Sequence, residues 1–223
     1  MKAKDLQPAY TWEDRHVVLR DRVLFIPKFY QKHKEFGPLD LESLFGNTNE
    51  TIVEYCSGNG SWIIDKAKKN PGQNWVAVEK KFERAAKIWS KMKNENIDNL
   101  LIVYGDAFDF TDYYLKDSVL SEAYVNFPDP WPKDKHAKHR LLQEKFFTQL
   151  RKVLKVGGTI TIATDDFPYT EQICLEILQD PNWESTIPSP HYTNEWKDYG
   201  TSFFELLWRS KGKQIHYMKF KAK

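Results

Sequence analysis

Five short apolar runs constrain this chain more than any other feature: TIVEYC at 51–56, NWVAVE at 74–79, LLIVYGD at 100–106, EAYVNF at 122–127 and TITIATD at 159–165. Each is rich in β-branched or aromatic residues and bounded by turn formers, which predicts a strand. Between them the period changes. Ile63 to Lys69 reads as helical, Phe82, Ala85, Ala86 and Trp89 recur at helical spacing, and Leu141, Leu142, Phe146, Phe147, Leu150, Val153 and Leu154 share one apolar helical face that ends before Gly157 and Gly158. Asp166 is placed to cap a further helix, with Pro168 in its first turn and an end near Gln179. Alternating strands and helices predict an α/β fold with a doubly wound, mostly parallel sheet. SFFELLW and QIHYMKF flank an SKGK turn and predict a C-terminal antiparallel hairpin, for seven strands in all. Residues 1–45 are mixed in charge and read as an arm packed on a single domain, 46–223.

The longest apolar stretches are a few residues long, so neither a membrane span nor a signal peptide is expected, and the cytoplasm is the expected compartment. Cys56 and Cys174 cannot build a disulfide framework or a metal site. The 33 basic residues nearly balance 31 acidic ones, but unevenly along the chain. Lys133 to Arg140 holds four Lys/Arg and two His, and Arg209 to Lys223 holds six Lys/Arg and no acid. With 8 Trp, 11 Tyr and 14 Phe along the chain adding aromatic surface, such patches suit a nucleic acid partner.

Ligands of doubly wound sheets bind beyond the carboxyl ends of the strands. Acids and amides collect there: Glu54 before Gly58 and Gly60, Glu79, Asp106, Asn126 to Trp131, and Thr164-Asp165. The dinucleotide fingerprint needs a third glycine where this chain has Ile63. Asp106 can accept from an adenine amino group, Glu79 from ribose hydroxyls, and Glu54 would stand near a methionine ammonium. S-adenosylmethionine is therefore favoured over a nicotinamide cofactor. In FPDPWP, Pro128, Pro130 and Pro132 forbid a helix and an ordinary central strand, so Asp129 sits in a stiff loop.

E-x-x-x-G-x-G at 54–60, VEK at 78–80, GDA at 105–107, FPDPWPK at 127–133, ATD at 163–165, and SFFE at 202–205 followed by Gly212 together resemble the bacterial tRNA (guanine-N7)-methyltransferase family. The resemblance implies a class I, Rossmann-like methyltransferase fold and S-adenosylmethionine as donor, leaving S-adenosylhomocysteine. It also implies, as substrate, the guanine at position 46 of the tRNA variable loop, and no metal. Carried over by position, it implies Glu54, Gly58, Gly60, Glu79, Asp106, Ala107, Asn126 and Asp129 as cofactor contacts, with Asp129 also catalytic. Lys133, Asp165, Ser202, Phe204 and Glu205 are implied as substrate-binding, and Lys135, His136, Lys138, His139 and Arg140 as RNA-contacting. Cys56 departs from a customary glycine and Ser202 from a threonine. Two alternatives stand beside this reading: an amino-group methyltransferase acting on RNA, and a non-catalytic RNA-binding protein with a methyltransferase fold. Monomer and homodimer are both compatible with the sequence.

Overall fold

The computed structural model describes residues 1–197 and 199–223. The chain divides into two compact units, Met1–Lys116 and Asp117–Lys223.

In the first unit, β1 (Val18–Arg20) and β2 (Val23–Phe25) pair antiparallel through Asp21 and Arg22, whose φ values of 52° and 63° are those of a two-residue hairpin turn. Two short helices follow, α1 (His33–Phe36) and α2 (Leu41–Phe45). Then strand and helix alternate: β3 (Thr51–Tyr55), α3 (Ser61–Lys69), β4 (Asn74–Glu79), α4 (Phe82–Asn94), β5 (Leu100–Tyr104) and α5 (Ala107–Tyr113). The strand order is β1-β2-β5-β4-β3, parallel from β2 onward. Every residue of β3 and β4 is buried, because helices cover both faces of a parallel sheet. Residues 18–25 thus enter the sheet. The segment after them is tied down by buried His33, which stacks on Tyr113 with centroids 4.5 Å apart and places Nδ1 2.7 Å from the Tyr114 hydroxyl.

The second unit contains β6 (Leu120–Asn126), a 3-10 turn (Asp134–His139), α6 (Glu144–Val153), β7 (Leu154–Thr164), α7 (Phe167–Ile177), β8 (Trp183–Ser185), α8 (Phe203–Ser210) and β9 (His216–Ala222). The order is β6-β7-β9-β8, with β6 parallel to β7 and β9 antiparallel to both its neighbours. The α/β class and the antiparallel C-terminal edge are as expected, but the described residues hold nine strands, not seven. The additional β1, β2 and β8 have three residues each, too few to show a period.

SFFELLW is a helix and not a strand. Ser202 caps it by accepting from the Glu205 amide at 3.0 Å, and β9 finds its antiparallel partners in β7 and β8. Gly157 and Gly158 also have another role than stopping a helix. They lie inside β7, where the pairing with β6 shifts register between Leu120 and Glu122. A Cβ on Gly158 would meet the Lys155 carbonyl oxygen at 2.9 Å and that of Ser121 at 3.0 Å, so only glycine fits this bulge.

Candidate active site

In the first unit three acidic strand ends are drawn together. Register pairs Glu54 of β3 with Ala77 of β4, and Glu54 is 1% exposed. Glu79, at the end of β4, accepts from the Gly58 amide through Oε2 at 2.9 Å and from the Lys81 amide through Oε1 at 2.8 Å, and its carbonyl accepts from the Gly105 amide at 3.2 Å. One residue thus ties the glycine loop after β3 to the turn after β5. Burial raises the Glu79 carboxyl above the usual range, and the two amide bonds and Arg84 partly oppose it. Asp106 is exposed and caps α5, taking the Phe108 and Asp109 amides on Oδ1 at 2.8 and 3.3 Å. Ala107 opens that helix.

The glycine loop is built as much for packing as for a ligand. Gly60 has φ +73°, and a Cβ there would lie 2.6 Å from Ile88 Cγ1 on α4. Lys91, also on α4, donates to the Asn59 carbonyl at 2.8 Å. These donors and acceptors fit an adenosyl group bearing an ammonium. Glu54 is a buried carboxyl group, the Glu79 oxygens each retain lone-pair capacity for ribose hydroxyls, and the Asp106 cap uses only Oδ1.

In the second unit the ends of β6 and β7 lie side by side: Asn126 pairs with Ala163, and the Phe127 amide donates to the Ala163 carbonyl at 2.8 Å. Asn126 is buried and its Oδ1 accepts from the Tyr199 hydroxyl. Tyr199 packs on Tyr217 with centroids 4.9 Å apart. The Tyr217 hydroxyl donates to Glu205 Oε1 at 2.9 Å and accepts from Arg209 at 3.2 Å, while Arg209 Nε also reaches Glu205 Oε1 at 3.1 Å. Burial and the bond to Glu205 push the Tyr217 hydroxyl up to about 12. The other Glu205 oxygen, Oε2, is buried and has no hydrogen-bond partner among the described residues. A buried acceptor left open is costly and marks a place for a ligand.

The proline loop follows β6. Asp129 is exposed, between buried Pro128 and half-buried Pro130. Phe127 and Trp131 on either side have φ of 50° and 43°, a region L-residues rarely occupy. The Phe127 ring lies 6.3 Å from that of Phe204, which brings the start of α8 beside the loop. The Trp131 ring lies against His136 and His139, at 5.8 and 5.3 Å, so the two His do share one face of the 3-10 turn. Lys133, Lys135 and Lys138 are exposed. Asp165 is ion-paired with Lys213. Among the described residues no His/Cys/Asp/Glu cluster could hold a metal.

A family model described as "Putative methyltransferase" matches residues 48–218. A tRNA (guanine-N(7)-)-methyltransferase of Chlamydia felis is 45% identical over 223 residues, spanning 100% of this chain and 98% of the relative. The enzyme of the same name from Chlamydia trachomatis is 43% identical over 99% of this chain and 97% of its own length. This chain belongs to the tRNA (guanine-N7)-methyltransferase family. Among solved structures, the 16S rRNA methyltransferase KamB matches with a TM-score of 0.62 at 14% identity, over 83% of this chain and 94% of the other. The aminoglycoside resistance methyltransferase NpmB1 matches at 0.59 and 16%, over 87% and 95%. At such identities the likeness is one of fold.

The two departures from the tRNA (guanine-N7)-methyltransferase pattern now have local explanations. Cys56 has φ 61°, the left-handed region that favours glycine, so it keeps the loop's path at some cost in strain. Ser202 supplies the capping hydroxyl that a threonine would. The Arg140 guanidinium turns inward onto the Pro130 and Trp131 carbonyls and Gln172. Tyr199, Arg209, Lys213 and Tyr217 are absent from the expected site. Only the spacing of Glu205 and Arg209, four apart on a helix, signals any of these contacts in the sequence.

Proposed function

We propose that this protein transfers the methyl group of S-adenosylmethionine to N7 of a guanine in tRNA, at position 46 of the variable loop, giving 7-methylguanosine. The observation that carries the reaction is the full-length likeness to tRNA (guanine-N(7)-)-methyltransferases. Glu54, Glu79 and Asp106 would hold the donor by its ammonium, ribose and adenine groups. When bound, S-adenosylmethionine supplies a methyl group on a cationic sulfur.

Guanine N7 carries a lone pair and no proton, so no residue has to act as a base. The ring becomes cationic on methylation, and carboxylates facing it stabilise that charge. Asp129 is the candidate for this task, held in a loop whose prolines limit its motion. Guanine's N1–H and amino group are a pair of donors, and the open Oε2 of Glu205 is a matching acceptor. Asp165 would serve the same edge after exchanging its ion pair with Lys213. Lys133, Lys135 and Lys138 would meet tRNA phosphates, which orient a substrate without identifying it. Placement of donor and acceptor in line can account for roughly 7–11 kcal/mol of the barrier. The working compartment would be the cytoplasm, in keeping with a tRNA substrate, and among the described residues no helix is long and apolar enough to cross a membrane.

The test is transfer of labelled methyl from S-adenosylmethionine to tRNA, followed by borohydride reduction and aniline cleavage. Chain scission at the variable loop is expected. Label on an exocyclic amine, with no scission, would overturn the assignment in favour of an amino-group methyltransferase.

A further inference from the structure

The basic run after the proline loop contains one side chain that does not face outward. Arg140 Nε donates to the Pro130 carbonyl at 2.7 Å, and one terminal nitrogen reaches the Trp131 carbonyl at 3.3 Å. The other terminal nitrogen donates to Gln172 Oε1 on α7, and the guanidinium carbon lies 5.2 Å from the Tyr169 ring centroid. All three nitrogens therefore have acceptors within the chain, and one face of the group is covered by an aromatic ring. Tyr169 is fully buried, and its hydroxyl accepts from the Leu142 amide at 3.0 Å, so the surface beneath Arg140 is itself anchored.

The loop needs such an anchor. Pro128, Pro130 and Pro132 have no N–H, which removes alternate backbone donors from the segment around Asp129. The Pro130 and Trp131 carbonyls are the handles that Arg140 takes. Phe127 and Trp131 also hold positive φ, a conformation that persists only where the surroundings over-determine it. We infer that Arg140 is a positioning residue: a clasp that holds the Pro130 and Trp131 carbonyls against α7, and so sets Asp129, rather than a ligand for tRNA phosphate. The planar fork is what permits it, since a lysine at 140 could reach one of these acceptors but not all of them. The same helix begins directly after Asp165 and is capped by Asp166, which accepts from the Tyr169 amide at 2.9 Å. One side chain thus links the loop carrying Asp129 to the helix that follows the candidate guanine reader.

The effect on turnover rests on the proposed role of Asp129; the clasp itself does not. The experiment compares wild type with Arg140→Lys, Arg140→Ala and Gln172→Met. Readouts are kcat, KM for tRNA, the salt slope of tRNA binding, and amide hydrogen exchange at Asp129, Trp131 and Lys133. Expected are an exchange rate raised at least about tenfold in Arg140→Lys, kcat lowered by a similar factor, KM within about twofold, and a salt slope unchanged even in Arg140→Ala. Gln172→Met, which removes no charge, should show the same pattern more weakly. Unchanged loop exchange in Arg140→Lys overturns the clasp whatever the activity. A salt slope reduced in Arg140→Ala with kcat intact assigns Arg140 to phosphate instead. Faster exchange in a protein whose wild type leaves tRNA unmethylated would keep the clasp and remove the proposed function.

Discussion

Glu205 shows how much one side chain's surroundings decide. By sequence it is an acid in a run that reads as a hairpin strand, with solvent as the obvious destination. In the fold it is the buried residue of α8, while Phe203 and Leu206 are 52% and 60% exposed. Tyr217 and Arg209 both bind Oε1, which fixes the carboxylate plane and leaves Oε2 open. Glu205→Gln should lower kcat/KM for tRNA by about 10- to 100-fold, the loss expected for hydrogen bonds to a charged group at roughly 1.5–3 kcal/mol. Tyr217→Phe removes one of the orienting bonds and should cost about fivefold, or ~1 kcal/mol. If Tyr217→Phe matches wild type in kcat/KM, Tyr217 has no part in orienting the acid. Asp129 makes a different demand. Asp129→Asn keeps shape and removes charge, so kcat should fall by about tenfold or more, ~1.4 kcal/mol, while tRNA affinity stays within about twofold. Equal turnover would remove Asp129 from the chemistry.

Among the elements, the glycine loop and α8 teach opposite lessons. E-x-x-x-G-x-G marks a turn after a strand, and the structure puts it there, but the reason for Gly60 lies in α4. Its positive φ costs an L-residue about 1–2 kcal/mol. Overpacking against Ile88 adds typically 1–3 kcal/mol. Gly60→Ala should therefore destabilise by about 2 kcal/mol or more in urea titration, and the Gly60→Ala/Ile88→Ala double variant should lose less than the sum of its parts. Additivity would mean that the contact with Ile88 is not the cause. For α8, the run SFFELLW suits either a strand or a helix, since seven residues do not separate the two periods. The Ser202 cap and the pairing already available to β9 tip the balance to helix.

Across the whole molecule, charge distribution matters more than net charge. The formal balance of +2 predicts little, yet Lys135 and Lys138 stand exposed on a turn next to the proline loop. Replacing both with alanine should reduce the slope of log K against log salt for tRNA binding by about 1.4–1.8, the release of counterions from two phosphates. An unchanged slope would mean that neither reaches the RNA backbone. Arg140 belongs to the same run in sequence but not in space, so its replacement should leave that slope alone.

Fold class, the five long strands, the capped helix after Asp166 and the gathering of acids at strand ends were all legible in the sequence. Each depends on local period or on residues that cap and turn, which act over a few positions. The three-residue strands, the helical α8 and the bulge at Gly157-Gly158 were not, because pairing partners far along the chain decide them. The same holds within the site. The family resemblance singled out Asp129, Glu205 and Arg140, but only packing made Asp129 exposed, left one oxygen of Glu205 unbonded and turned Arg140 inward. A residue's chemical type is written in the chain; which of its atoms remain available is settled by the neighbours that folding brings to it.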